Sequence, residues 1–464
     1  MGGSKVGYGQ ASMTREGDLI QTRTTFRLKL GRADQAVQIQ MDQNTTESLD
    51  GRPRAFGSEM DASVMKTATK GTIADGKVTI ITSQYGMEQK QVFDFPADAL
   101  MSWGMYRESL LRGFKPGTTY TLRTYAPELR LDDAVSATTA VGDWEEFEHR
   151  RRKLKGQKVI VKLESPLGSM EMVSWIDPTG RPLKAKVPAP GVGDMEMIAS
   201  DQATAMADFV PPEIFMTTAI KAGRKIDRAK VNTIKYRLAS KDAAIDARLH
   251  EMPNTEMQRV TPLDGGAVEA TVKRVPHRSV EPAPSALTNA ERAEYLGDNL
   301  MMNTKDPLLQ KLAHRATPGD ESNLYAVADK LRRFVTEYVE NKNLNIGFAT
   351  ASEVARTKEG DCSEHAVLLA ALGRINGLPS RVVAGLAYVP LFGNEDDIFG
   401  YHMWTQFYID GRWIDVDAAL RETECSPARI AFAISSLQNA GLADLSLPLL
   451  SKIGAISLEI REME

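Results

Sequence analysis

The chain has 464 residues, of which 42% are hydrophobic and 25% are charged, and its formal net charge is -4. This length exceeds one ordinary core, so two or three domains are expected, and the charge balance gives no reason to expect a nucleic-acid or anionic-membrane partner. No run approaches the roughly 18 apolar residues that span a bilayer, and two cysteines do not make a disulfide framework.

The first ten residues, MGGSKVGYGQ, lack the apolar core of an export signal. They are interpreted as an addition joined to a mature chain, so an export signal could have been removed and its absence proves nothing. Together with the strand-rich region that follows, this favours an extracytoplasmic location, periplasmic or secreted, and leaves a cytoplasmic location open.

The first 275 residues or so are predicted to be mostly β-structure. Polar and apolar residues alternate around the Glu16-Gly17-Asp18 turn, which is the pattern of an antiparallel hairpin. The tripeptide Gly-Arg-Pro occurs in a turn between strand-like stretches at 51–53 and again at 180–182, which indicates a weak internal repeat. We therefore predict two related β-rich domains, residues 1–140 and 141–275, that position a catalytic domain or select its substrate.

A proline-rich stretch separates this region from a C-terminal part of different character. Residues 276–287 are the predicted linker, and Thr288-Asn289 has the composition of a helix start. Apolar residues then recur at helical spacing between residues 328 and 339. Residues 288–464 are expected to form one domain of helices and strands, so the predicted fold class of the chain is α+β.

The stretch GDCSEHAVLLAALGRING has a cysteine where an apolar helix begins. Asp361 is suited to cap this helix, which puts Cys362 in the first turn. There, free backbone N–H groups and the helix dipole favour a thiolate over a thiol. This position suits a nucleophile, and the backbone N–H of Cys362 can also help to hold an oxyanion. On position alone, a small buried hydrophobic residue is an equally good interpretation.

The stretch YHMWTQFYIDGRWIDVDAAL contains two strands joined by Asp410-Gly411, a two-residue hairpin turn. In the register that this turn sets, His402 and Trp404 share a face with Asp415 and Asp417. Asp417 lies opposite Trp404 and diagonal to His402, about 7–8 Å away, so its carboxylate can reach the imidazole. Asp415 is one pair further along and is the weaker candidate. Thiol, imidazole and carboxylate together form the constellation for nucleophilic acyl transfer.

These stretches resemble the transglutaminase-like, or papain-like thiol, superfamily. GDCSEHA is similar to its Cys motif, YHMWTQFYIDGRW to its His motif and DVDAAL to its Asp motif, and the resemblance covers roughly residues 285–425. It implies an α+β core in which the Cys helix packs on an antiparallel sheet. Cys362 would be the nucleophile, His402 the base and Asp417 the orienting acid. It also implies a protein or peptide substrate and no cofactor.

The chain departs from the family pattern at two points. Ala418-Ala419 follow the acidic residue where Pro-Thr is frequent, and Met403 stands beside the histidine where a small residue is usual. Neither change removes a catalytic group, but both can reshape the pocket. Trp404, on the face of the triad, is expected to support the pocket.

A metal site is one alternative, because Cys362 and His365 have Cys-x-x-His spacing. The chain has only six histidines and no second ligand pair near by, and no calcium-loop pattern is present, so no metal is expected. His365 more simply supports the pocket from the same helix face, as Asp361 does from the helix start, and Cys425 is interpreted as incidental.

A second alternative is a catalytically silent transglutaminase-like scaffold that binds through its β-rich N-terminal region. The intact triad argues against it. Within catalysis, the acyl-enzyme can be resolved by an amine or by water, so cross-linking, proteolysis and deamidation all stay open.

Overall fold

The computed structural model describes residues 4–32, 35–62, 65–84, 87–149, 152–165, 168–187, 195–213, 218–241, 248–277, 286–319, 321–342, 349–438, 452 and 454–464. The chain divides into two compact units: Met1–Leu30 with Ala36–Pro212, and Gly31–Gln35 with Glu213–Glu464. Helices and mainly antiparallel strands occur together, so the predicted α+β fold class is confirmed. Within the described ranges, no helix combines the length and apolar character needed to cross a membrane.

The first unit contains two seven-stranded sheets in which each strand lies beside the next one in the chain. The strands of the first sheet are β1 (Gly7–Glu16), β2 (Leu19–Arg32), β3 (Gln35–Ser48), β4 (Pro53–Ala62), β5 (Met65–Ala74), β6 (Lys77–Gln84) and β7 (Met87–Asp94). Those of the second sheet are β8 (Ala99–Leu100), β9 (Thr119–Thr124), β10 (Val135–His149), β11 (Arg152–Ser165), β12 (Gly168–Ile176), β13 (Pro182–Val187) and β14 (Met195–Ile198). Helix α1 (Ser102–Arg112) connects β8 to β9, and α2 (Gln202–Met206) follows β14.

Both copies of Gly-Arg-Pro form the same kind of turn. The backbone φ angle is +87° at Gly51 and +84° at Gly180, a conformation that favours glycine. The prolines that follow, Pro53 and Pro182, are the first residues of β4 and β13, where the missing N–H is tolerated. The predicted hairpin at Gly17 is also confirmed, since Glu16 pairs with Leu19.

The second unit contains a five-stranded and a four-stranded sheet. The first has the order β15-β20-β19-β22, with β21 paired to β20, and the second the order β17-β18-β16-β23. The strands are β15 (Ile220–Lys221), β16 (Thr233–Ser240), β17 (Gln258–Pro262), β18 (Val268–Lys273), β19 (Ser380–Phe392), β20 (Glu395–Ile409), β21 (Arg412–Val416), β22 (Arg429–Ser435) and β23 (Ile456–Met463). The helices are α3 (Asn289–Leu296), α4 (Pro307–Ala316), α5 (Leu324–Tyr338), α6 (Ala351–Thr357) and α7 (Cys362–Ile375). Short 3-10 turns occur at Leu249–Glu251 and Asp264–Gly266.

The strands that precede the predicted linker share a core with the C-terminal part of the chain. Tyr236 on β16 is fully buried beside Phe399 on β20, and its hydroxyl donates to the Pro427 carbonyl at 2.8 Å. The Gln258 side chain donates to the Ala431 carbonyl at 2.9 Å and accepts from the Ala431 N–H at 2.8 Å, so it braces β22. The four-part domain division predicted from the sequence stays a prediction. The main division of the chain between the two compact units of the structure falls between Pro212 and Glu213.

Candidate active site

Cys362 is the first residue of α7, and its half-buried side chain forms no disulfide. The Asp361 carboxylate accepts from the Ser363 N–H at 2.9 Å and from the Ser363 hydroxyl at 2.8 Å. The Glu364 carboxylate accepts from the Asp361 N–H at 2.9 Å, which completes a capping box. The prediction that Asp361 caps the helix is therefore confirmed, and Cys362 lies in the first turn, where backbone N–H groups point outward.

Glu364 holds the start of α7 in position from inside the protein. Its side chain is completely buried, and its second carboxylate oxygen accepts from the Ala349 N–H at 2.9 Å. The pKa of Glu364 is raised well above its usual range. Burial and the nearby charge of Asp361 raise it, and they outweigh the two backbone hydrogen bonds that lower it. Gly360 has a φ of +151°, and a Cβ there would lie 2.2 Å from the Glu364 Cβ. Only glycine fits at this position beside the Glu364 side chain.

Helix α7 packs directly on β20, and two contacts fix its direction. The Thr405 hydroxyl donates to the Ala366 carbonyl at 2.9 Å. Further along, the Phe407 ring fills the space beside Gly373, where a Cβ would lie only 2.2 Å from a ring carbon. The later residue of α7 contacts the later residue of β20, so the helix and the strand run in the same direction. The first turn of α7 therefore lies toward the part of β20 that precedes Thr405. His402 is in that part of the strand.

His402 and Asp417 form a direct hydrogen bond. The imidazole Nε2–H donates to Asp417 Oδ2 at 2.7 Å, and the two side chains are only 10% and 1% exposed. The imidazole ring is nearly parallel to the Trp404 ring, with centroids 6.1 Å apart. With Nε2 occupied by the carboxylate, Nδ1 is the nitrogen left to exchange a proton with a thiol.

Asp417 is also held by Arg429, a residue that the sequence argument did not consider. Arg429 is 3% exposed, and its guanidinium donates to Asp417 Oδ2 at 3.2 Å and to a Glu422 carboxylate oxygen. The other oxygen of Asp417 accepts from the Leu420 N–H at 2.8 Å. Burial raises the pKa of Asp417, but the charge and hydrogen bond of His402 and the charge of Arg429 outweigh it. The pKa of Asp417 is therefore held well below its usual range, and the group is an anion.

The hairpin has the predicted register as far as its pairing extends. Ile409 pairs with Arg412 and Gln406 with Asp415, and the ladder ends at Thr405 and Val416. Asp417 then leaves the ladder and pairs with Glu422. The predicted contact between the His402 and Asp417 side chains is still formed.

Asp415 has a different set of partners. One carboxylate oxygen accepts from the Trp404 indole at 2.6 Å, and the Gln406 side-chain amide lies within 3.0 Å. Burial raises the pKa of Asp415. Because the Trp404 N–H is already donated to Asp415, it is not available to a substrate oxygen, and Trp404 contributes its ring to the site.

His365 lies on α7, one turn from Cys362. Its Nδ1–H donates to the Asp361 carbonyl at 2.6 Å, and the side chain is 2% exposed. Its Nε2 atom is buried and has no partner among the described residues. Burial lowers the pKa of His365, so the ring is neutral at neutral pH. In the part of the chain that the structure describes, no group of three or more His, Cys, Asp or Glu side chains is arranged to hold a metal ion.

Two features of the site had a signal in the sequence that was not used. Arg429 stands in the otherwise apolar run 428–434, and a buried arginine requires carboxylate partners. Glu364 is the third residue after the cap Asp361, the position at which a capping box has its acid.

A helix that starts at a cysteine packs on an antiparallel sheet that holds a histidine–aspartate pair, which is the arrangement that the resemblance to the transglutaminase-like, or papain-like thiol, superfamily implied. Residues 310–418 match the family model of the transglutaminase-like superfamily. The C-terminal part of the chain therefore contains a transglutaminase-like domain, as the motifs predicted. A search of curated proteins found no match.

Three solved structures are similar to the chain at low identity. A "putative cysteine protease" from Cytophaga hutchinsonii is 18% identical, with 50% of this chain and 86% of that chain covered and a TM-score of 0.31. A "beta-barrel-like protein" from Brucella abortus is 12% identical, with 41% and 86% covered and a TM-score of 0.31. A "putative protease" from Parabacteroides distasonis is 12% identical, with 87% and 69% covered and a TM-score of 0.19. These are distant likenesses, and the domain is assigned on the family model.

Proposed function

We propose that the transglutaminase-like domain is a thiol acyltransferase or amidohydrolase that acts on amide bonds of proteins or peptides. Cys362 is the nucleophile, His402 the general base and acid, and Asp417 the carboxylate that orients His402. The observation that carries the proposal is the 2.7 Å hydrogen bond between His402 Nε2 and Asp417. His402 lies on β20, the strand on which α7 packs, in the part toward which the first turn of α7 with Cys362 is directed.

The reaction starts with transfer of the Cys362 thiol proton to His402 Nδ1. The thiolate attacks the substrate carbonyl carbon, a C–S bond forms, and the carbonyl oxygen becomes an oxyanion near the N–H groups of the first turn of α7. His402 then protonates the leaving amine, the C–N bond breaks, and a thioester remains on Cys362. Water or a second amine, deprotonated by His402, attacks the thioester and releases the thiolate. Water gives hydrolysis or deamidation, and an amine gives a new amide bond.

Asp417 has two effects in this scheme. It holds the Nε2 proton, which fixes the tautomer that leaves Nδ1 for the thiol, and its charge stabilises the imidazolium. Because Arg429 and the Leu420 N–H keep Asp417 ionised and fixed, this support persists well below neutral pH. The expected extracytoplasmic location stays a prediction.

The alternative is a catalytically silent scaffold that binds through the β-rich region. The capped helix at Cys362 and the buried histidine–aspartate pair favour catalysis, since a protein that only binds needs neither.

The alkylation rate of Cys362 as a function of pH tests the proposal directly. An ordinary thiol, with a pKa of about 8.5, reacts far more slowly at pH 6 than at pH 8. We expect Cys362 to remain reactive near pH 6 and His402→Ala to remove this reactivity. His314→Ala, at an exposed histidine on α4, is the matched control and is expected to change nothing.

Mass spectrometry separates the two cysteines, and Cys425, at 2% exposure, is expected to react only after unfolding. Amine-incorporation and peptide-hydrolysis assays of the wild type and Cys362→Ala then distinguish transfer from hydrolysis. Slow alkylation of Cys362 at pH 6, unchanged in His402→Ala, would contradict the proposal and favour the scaffold.

A further inference from the structure

The backbone just after Asp417 forms a short closed loop with a cation at its end. The Asp417 N–H donates to the Glu422 carbonyl at 2.7 Å, and the Glu422 N–H donates back to the Asp417 carbonyl at 2.9 Å. Arg421, the last residue of the loop between them, is exposed and has a φ of +63°. A non-glycine residue rarely adopts this left-handed conformation, and such strain persists where the surrounding structure imposes it, frequently at functional sites.

A second exposed cation lies beside the backbone that leads into Cys362. The Asn341 N–H donates to the Lys358 carbonyl at 3.1 Å, and the Gly360 N–H donates to the Asn341 carbonyl at 3.0 Å. Lys342, the next residue, is exposed. The backbone bonds of its neighbour therefore fix the origin of this side chain close to the start of α7, as the loop fixes Arg421 close to Asp417.

The two cations influence each other electrostatically. Among the described residues, neither Lys342 nor Arg421 forms an ion pair, and residues 343–348 (NLNIGF) contain no acidic side chain. Partial burial of its ammonium group lowers the pKa of Lys342, and the nearby charge of Arg421 lowers it further. The charge of Lys342 in turn contributes to lowering the pKa of His365, on the helix that carries Cys362.

Neighbouring cations behave differently. Lys358 pairs with Glu340 at 3.0 Å, and Arg429 is bonded to two carboxylates. Two like charges held close together without a counterion destabilise the protein, and this cost is offset when an anionic ligand binds.

We propose that Lys342 and Arg421 form a binding site for a carboxylate of the substrate, adjacent to the amide bond that Cys362 attacks. This inference rests on the proposed function and adds the substrate class: peptides with an acidic side chain, or a chain-terminal carboxylate, next to the scissile bond. An ammonium and a guanidinium group together are suited to a carboxylate, since each supplies several charge-assisted donors.

The test compares alkylation of Cys362 by iodoacetate, an anion, with alkylation by iodoacetamide, which is neutral. The ratio of the two rates reports the local electrostatic potential, because both reagents attack the same thiolate and any change in thiolate fraction cancels. The variants are Lys342→Gln/Arg421→Asn, which removes both charges, and Lys342→Glu/Arg421→Asp, which reverses them. Asn and Asp are chosen because they tolerate the left-handed conformation.

At an ionic strength of about 0.01 M we expect the ratio to fall about five-fold in the neutral variant and about 20-fold in the reversed variant. These changes should largely disappear at about 1 M salt. Lys311→Glu, at an exposed lysine of α4, is the control. It changes the net charge by the same amount as Lys342→Glu, and it is expected to leave the ratio of the two alkylation rates within two-fold of wild type.

Peptides identify the source of the carboxylate through their protection of Cys362 from iodoacetamide. Three peptides are compared: one uncharged and amide-capped, one amide-capped with an acidic side chain, and one with uncharged side chains and a free terminal carboxylate. At least one of the two peptides with a carboxylate is expected to protect Cys362 at about five-fold lower concentration than the uncharged peptide. In the protein variant Lys342→Gln/Arg421→Asn, this difference between the peptides should disappear. Equal protection by all three peptides would overturn the proposal.

The outcomes separate this inference from the proposed function. If Cys362 reacts rapidly near pH 6 but the reagent ratio is the same in wild type and variants, the carboxylate site is wrong and the proposed catalysis stands. If Cys362 reacts like an ordinary thiol and His402→Ala has no effect, the proposed function fails first.

Discussion

Replacing Arg429 with methionine should have a large effect on both stability and thiol chemistry. The substitution keeps most of the side-chain volume but removes the donors to Asp417 at 3.2 Å and to Glu422. Asp417 is 1% exposed, so its charge cannot be compensated by water. Removing one partner of a buried ion pair costs about 3–5 kcal/mol in the free energy of unfolding, and Arg429→Met is expected in that range.

The pH dependence of this loss follows from the pKa of Asp417, which is held below its usual range in the folded protein. Such a group stabilises the folded state above the pKa of the unfolded chain, about 4, and this stabilisation is lost as the pH falls through the folded-state pKa. In Arg429→Met, the pKa of Asp417 rises because one cation is gone. The difference in unfolding free energy between wild type and variant is therefore full at neutral pH and shrinks below about pH 4.

Urea denaturation at pH 7, 5 and 3 measures this difference, and alkylation of Cys362 at pH 6 measures the effect on the thiol. Arg374→Met is the matched control, because Arg374 is 4% exposed but bonds to the carbonyls of Gly297, Ser380 and Ser436 rather than to a carboxylate. It should lose stability without the acid dependence. If Arg429→Met is within 1 kcal/mol of wild type at pH 7, or if its deficit is constant with pH, the assigned role of Arg429 is wrong.

Two further substitutions test how buried carboxylates organise each unit. Gly360→Ala places a Cβ 2.2 Å from the Glu364 Cβ at a φ of +151°, so we expect a loss of about 2–5 kcal/mol in urea denaturation and slower alkylation of Cys362. Gly377→Ala, with a φ of +76° and open space around it, should cost only about 1 kcal/mol, and equal losses would contradict the steric argument. In the first unit, Glu47 is fully buried and accepts from the N–H groups of Trp103 and Gly104 at 2.7 and 2.8 Å. Glu47→Gln turns an NH2 group toward one of these donors and should cost about 2–4 kcal/mol in thermal and urea unfolding, whereas Glu59→Gln, at an exposed position, should stay within about 0.5 kcal/mol.

The parts of the site that the sequence predicted are those determined by short-range rules. A cap followed by an apolar run defines the start of α7, and the cap, Asp361, precedes Cys362 by one residue. Asp410-Gly411 defines the hairpin, because both residues have positive φ, +50° and +82°, as a two-residue turn of this type requires. These rules involve residues within about five positions of each other, so one sequence is enough to apply them.

The parts that the sequence did not reveal depend on contacts between distant segments. The Gln258 side chain bonds to Ala431, which lies 173 positions away, and no periodicity indicates that pairing. The same holds for the core that β16 and β18 share with β19 and β22, because alternating apolar residues show that a strand buries one face but not what it packs against. For this reason the sequence assigned residues 220–275 to a β-rich region without indicating that they support the strand of Arg429.

The sequence placed both Asp415 and Asp417 on the face of the hairpin that carries His402. The contact between His402 and Asp417 forms even though the pairing of β20 with β21 ends one residue pair earlier than predicted. Successive residues in a strand point to opposite faces, so two acids separated by one residue share a face, and only their distance along the strand distinguishes them. The pairing stops at Val416, but the next residue still projects toward His402, because its backbone continues for one position before the Glu422 pairing takes over. Asp415 instead reaches Trp404 at 2.6 Å, a residue it meets because it lies deeper in the hairpin. The acid that bonds to the imidazole is thus the one just past the end of β21, where the chain turns and Arg429, on β22, can approach its carboxylate.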